Sequence, residues 1–132
     1  MRGDLRLKDL SLETVELQAD LEDGSPWPLP GRTFGGVVVA NYLWRPVFPA
    51  LQGSVAPGGA LIYETFAIGN ETVGRPARPE FLLAAGELLR LAGGLRIVAY
   101  EDGFLEDPPR FVQRIAAVRP PAGDAMPRYP LK

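Results

Sequence analysis

Trp44, Arg45 and Pro46 set an aromatic ring and a guanidinium side by side at the entrance of an expected helix. An anionic or aromatic ligand could use both, through paired hydrogen bonds to the guanidinium and stacking on the ring. The trio also reads as a helix-entry staple with a surface charge. Arg75 and Arg78 stand in a loop broken by Gly74, Pro76 and Pro79, where they either grip an anion or project into solvent. Asn41 and Tyr42 leave the end of a valine-rich run. Asn41 could hydrogen-bond a ligand amine or carboxylate while Tyr42 walls the pocket, or the pair could cap a loop and pack on the next helix. Asp20 and Glu64 each close an expected strand, and carboxylates at the C-terminal ends of parallel strands sit where α/β sheets bind ligands. Asp20, beside Glu22, Asp23 and Gly24, reads equally as turn chemistry.

The chain has no histidine and no cysteine. That removes Ser-His-Asp and Cys-His nucleophiles, imidazole and thiolate metal sites, and the commonest general base near neutral pH. No metal site is expected, and no residue is assigned as catalytic. Fourteen basic against sixteen acidic residues, a net charge of −2, give no electrostatic drive toward nucleic acid or an anionic membrane. No apolar run is long enough to span a bilayer, and the charged first residues lack the apolar segment of a signal peptide. With no disulfide framework, a cytoplasmic protein is expected.

The 132 residues, 46% apolar and 23% charged, suit one domain over residues 1–119, with a proline-rich tail at 120–132 that is disordered or extended. Val37, Val38 and Val39 run without polar interruption, as nearly does the stretch from Ala60 to Tyr63. Both strands should therefore be covered on both faces, as in a parallel sheet between helices. Pro46 starts and Gly53 ends a crossover helix between them. Alternation in residues 13–19 predicts a strand, with a loop at 20–32. The Pro57-Gly58-Gly59 run reads as a turn before a strand at 60–66, and Tyr63 reads as core. Residues 67–79 form a loop and lid candidate. The leucine spacing predicts a helix over 81–91, stopped by Gly93 and Gly94. Residues 95–100 and 110–118 form an antiparallel pair around a turn region at 101–109.

Phe34-x-x-Val37-Val38-Val39-x-Asn41-Tyr42-Leu43, followed by Ala56-Pro57-Gly58-Gly59-x-Leu61-Ile62-Tyr63-Glu64-Thr65-Phe66, resembles the fourth and fifth strands of class I S-adenosylmethionine-dependent methyltransferases. Residues 15–22 resemble the third strand and its acidic turn, and residues 95–119 the closing antiparallel pair. The resemblance spans about residues 13–119 and lies in the order of the pieces. It implies an α/β fold, a Rossmann-like methyltransferase sheet with a C-terminal antiparallel hairpin and helices on both faces. It implies S-adenosylmethionine as cofactor, with Asp20 and Leu21 at the adenine and Ala40 and Asn41 at the methionine end. Tyr42, Trp44, Arg45 and Glu64, with the loop at 68–78, would then meet a small-molecule acceptor. One departure is Gly35, where relatives carry Asp after the phenylalanine.

The family opens with a strand, a glycine-rich turn and a second strand, and residues 1–12 contain no such turn. The resemblance is thus to a truncated sheet, impaired or inactive as this isolated chain. The alternative is a non-catalytic interaction or regulatory subunit, or a gene fragment with its start upstream. A flavodoxin-like domain shares the β-α-β pattern but not the closing antiparallel pair. In the family the strands lie in the order third, second, first, fourth, fifth, seventh, sixth. Removing the first two leaves one edge of the valine strand open, and an open apolar edge recruits a partner. The N-terminal strand could move in, a second protomer could pair there, or another chain could fill the gap. Pairing across protomers, a homodimer or partner chain at that edge, is the expectation.

Overall fold

Val37, Val38 and Val39 lie beside Leu61, Ile62 and Tyr63 in parallel register. The computed structural model describes residues 31–123 and 125–131 in full, and the backbone of the strands at 3–8 and 14–19. Six strands run along the chain: β1 (Gly3–Lys8), β2 (Thr14–Ala19), β3 (Phe34–Ala40), β4 (Val55–Phe66), β5 (Arg96–Glu106) and β6 (Pro109–Val118). Two short helices are α1 (Phe48–Gly53), after β3, and α2 (Glu87–Leu91), before β5. The sheet is open and mixed, in the order β2-β1-β3-β4-β6-β5. Only β3 and β4 are parallel neighbours; β4 with β6, β5 with β6, and β1 with both its neighbours are antiparallel. The architecture is α/β, with the crossover between β3 and β4 carried by α1 and a 3-10 turn at Arg45–Val47.

The edge of the valine strand is taken by β1, which pairs Leu5 with Val39 and Leu7 with Val37. Residues 1–12, which lack the glycine-rich turn of the family, do carry a strand. The hairpin of β1 and β2 supplies the missing ladder from within the chain, so the premise of an open edge on β3 is not met. The strand expected at 13–19 is present as β2, one step further out.

Alternation explains where the core sits. Val37, Val39, Leu61, Tyr63, Ile115 and Ala117 are buried on one face of the sheet, under Phe48, Leu51 and Leu88 from the helices. Each of these larger side chains contributes about 1.5–3 kcal/mol by leaving water. The Phe48 and Tyr63 rings meet at 4.9 Å between centroids. The opposite face behaves differently: Ile62, in the middle of the central strand, is 43% exposed, and Val38 and Ala116 are only half-buried. The expectation of helices on both faces is corrected for the described residues, whose helices all pack on one side. An apolar run marks burial on two faces only when a second helical layer is present to cover it.

Three boundaries also move. β4 begins at Val55 and passes through Pro57-Gly58-Gly59, with a register shift against β3 between Phe34 and Gly36. A Cβ on Gly59 would lie 2.8–3.0 Å from the carbonyl oxygens of Ala56, Gly35 and Phe34, so the glycines serve a close backbone approach within a bulge. The helix expected over 81–91 shrinks to Glu87–Leu91. Leu83 instead exchanges backbone hydrogen bonds with the end of β4, its N–H donating to the Phe66 carbonyl and its carbonyl accepting from Ile68. Gly86, at φ 72°, then turns the chain into α2. The turn region expected at 101–109 is mostly strand; β5 and β6 form one long hairpin around Asp107 and Pro108. Exposed Arg96, Glu101, Asp102 and Glu106 keep β5, at the sheet edge, polar.

Candidate functional site

The loops that follow β3 and β4 meet at one end of the sheet, above its helix-covered face. β3 stops at Ala40 because Asn41 turns into the left-handed region, at φ 58°, where asparagine is among the few non-glycine residues found. The Asn41 N–H donates to the Glu64 carbonyl at 2.9 Å, which fixes its height on the sheet. Its side chain is exposed and makes no hydrogen bond to another described residue. Tyr42 is buried, and its carbonyl accepts the hydroxyl of Tyr63. Burial holds the Tyr63 phenol well above its ordinary range, so it stays protonated and acts as a core donor.

Arg45 reaches across to the segment before α2. Its guanidinium bonds both carboxylate oxygens of Glu87, and donates to the carbonyls of Glu80 at 3.1 Å and Leu82 at 2.9 Å. Glu87 also accepts the Ala84 N–H at 2.9 Å. The hydrogen bond from Arg45 holds the Glu87 carboxyl below its usual range, and that bond raises Arg45 in return. Arg45 is therefore a clamp between two loops, with its donors already engaged. A second anchor sits below it. Gln113, buried in β6, donates to the Ala84 carbonyl at 2.7 Å and accepts from Tyr100 at 3.0 Å and from the Leu88 N–H at 3.3 Å.

Two depressions result that share Phe81 in their lining. One, of about 300 Å³, is lined by Leu43, Trp44, Arg45, Pro46, Glu80 and Phe81. The other, of about 390 Å³, is lined by Arg75, Pro76, Ala77, Arg78 and Phe81. Arg78 pairs with Glu80 at 3.0 Å. Arg75 has neither hydrogen bond nor ion pair among the described residues. The base of this loop is fixed: Asn70 is buried, its side chain accepting from the Phe111 N–H and donating to the Pro76 carbonyl, both at 3.0 Å. A lid at 67–79 would thus be confined to its exposed outer part.

The structure brings Trp44 and Arg45 together with Phe81 and the arginine loop, and places Asn41 and Tyr42 just before them in the chain. Glu64 is not part of that group. Strand alternation turns it to the open face with Ile62, where it lies 3.5 Å from Arg114, which itself pairs more closely with Glu101 at 2.7 Å. Asp20 and Leu21 lie outside the described residues. Phe81, Glu80 and Glu87 were not foreseen as site residues; the only signal was Glu80-Phe81 standing next to the proline-arginine loop. Among the described residues no three His, Cys, Asp or Glu side chains gather as metal ligands. No helix among them is long and apolar enough to cross a membrane. No known family model matches the chain, and no curated protein matches it.

Proposed function

We propose that this chain forms the acceptor side of a class I methyltransferase-type sheet and handles a small molecule at the loops after β3 and β4. The observation that carries the reading is the strand order β3-β4-β6-β5. A parallel pair is followed by a last strand inserted antiparallel before the edge, the order implied for the fourth, fifth, seventh and sixth strands of that family. Both short helices cover the same face, and the loops leaving β3 and β4 build the depressions, at the carboxyl ends of parallel strands where open α/β sheets bind ligands.

S-adenosylmethionine fits the part of the site described. Ala40 is small, and Asn41 beside it offers a free amide at the end of β3, enough to line the methionine end of a nucleoside cofactor. The cofactor would supply an activated methyl group, so the chain's own work is to bind the acceptor, orient it and exclude water. Residues 1–12 contain no glycine-rich turn of the kind that holds the remaining part. This chain alone should bind S-adenosylhomocysteine more weakly than about 100 µM, within roughly 5.5 kcal/mol of binding free energy. Calorimetry giving low-micromolar affinity for the isolated chain would contradict that gap. The reading keeps a cytoplasmic location, on the absence of cysteine.

A second reading, a non-catalytic interaction subunit, draws on the open sheet face around Ile62. The occupant it requires is a second copy of the chain. Sedimentation at micromolar concentration would then give a dimer; a monomer mass counts against it.

A further inference from the structure

We infer that the two depressions around Phe81 form one acceptor subsite for a flat, apolar carboxylate, with Arg75 as its anion anchor. The inference rests on the reading above for its place in a reaction, but its geometry stands on separate ground. The half lined by Leu43, Trp44, Pro46 and Phe81 offers an aromatic and apolar surface, and its two charged residues, Arg45 and Glu80, are paired with Glu87 and Arg78. The half lined by Arg75, Pro76 and Arg78 is cationic. An apolar body with an anionic end matches that division, and a neutral or cationic ligand would leave the arginine half unused.

The three arginines at this end of the molecule are not equivalent. Arg45 is spent on Glu87 and on the carbonyls of Glu80 and Leu82. Arg78 shares its charge with Glu80. Arg75 alone of the three keeps an uncommitted guanidinium, and a planar fork of donors pairs with a carboxylate through two hydrogen bonds. Its position is not left to a loose loop, because the Asn70 side chain holds the neighbouring Pro76 carbonyl at 3.0 Å. Phe81 is held in turn by the carbonyls on either side of it, which Arg45 clamps. The combined space, about 300 and 390 Å³, accommodates a ligand of two fused rings.

The test is a titration of the full chain with 2-naphthoate and with the neutral 2-naphthamide, without cofactor, followed by calorimetry and by intrinsic tryptophan fluorescence. The naphthoate should bind and the amide should bind at least about tenfold more weakly, the scale of one charge-assisted contact. Arg75→Gln should remove that preference, Arg78→Gln should reduce it, and Arg90→Gln, on the exposed side of α2, should leave it unchanged. The preference should also shrink between low and high salt, since the anchor is solvent-accessible. Equal binding of both probes, no binding of either, or an unchanged preference in Arg75→Gln would each overturn the subsite. Naphthoate binding that depends on Arg75, together with no response of the Asn41 region to S-adenosylhomocysteine, would keep the subsite and remove the methyl-transfer reading.

Discussion

Arg45 holds the loop after β3 against the segment before α2 through its bonds to Glu87, Glu80 and Leu82. Its type and place beside Trp44 marked it as chemically active, and it does line a depression. Its role was decided by Glu87, 42 residues away, and nothing local encodes that meeting. Because the bond from Arg45 lowers the Glu87 carboxyl in the folded state, the pair's contribution is complete above the unfolded carboxylate value, about 4.3. It fades as pH falls through the lower folded value. Glu87→Gln should destabilise the chain by about 1–3 kcal/mol at neutral pH, and its stability should fall less than the parent's in acid, as urea unfolding at several pH values would show. Gln113 was likewise silent in the sequence. Gln113→Leu leaves the buried Leu88 N–H without its partner and takes one of two donors from the Ala84 carbonyl, and should cost about 1–3 kcal/mol in the same measurement.

At the scale of elements, the central β3-α1-β4 unit was legible because β-branched and apolar runs, a proline at a helix start and a glycine at its end all agree locally. Element ends were less so. Leu82 and Leu83 have helical spacing with Leu88 and Leu89, yet Leu83 pairs with the extended end of β4, and Gly86 starts the helix late. Tertiary hydrogen bonds outweighed a periodic pattern that a glycine already interrupts. The hairpin of β5 and β6 ran longer than expected because a polar edge strand lacks the apolar alternation by which strands are read. Gly58 and Gly59, a turn by their sequence, lie in a bulge inside β4. Gly59→Ala should therefore cost about 1–3 kcal/mol, from a Cβ driven against three carbonyl oxygens. Gly53→Ala, where a Cβ meets nothing within 4 Å, should be close to neutral and serves as the control in thermal unfolding.

For the whole molecule, the order of the last four strands was implied by the resemblance, whereas the place of β1 was not. Asp4-Leu5-Arg6-Leu7-Lys8 does alternate polar with apolar residues, but which strand it pairs with is set by the edge it meets and is not written in that pattern. Candidate residues split the same way: those just past β3 gather at one end, while Glu64 falls on the far face because a strand alternates sides. A one-sided helical layer has a direct consequence for neighbouring residues of β4. Leu61→Ala should cost about 2–5 kcal/mol, and Ile62→Ser should stay within about 0.5–1 kcal/mol, in chemical unfolding of the chain. The central claim, that the end of β3 is the cofactor wall of an acceptor-side sheet, is tested most directly by an amide-resolved NMR titration with S-adenosylhomocysteine. The account expects shifts centred on residues 40–44, fitting a dissociation constant near the millimolar range, about 4 kcal/mol. Saturating ligand that moves no resonance there, or that acts on the open face around Ile62 instead, would contradict it.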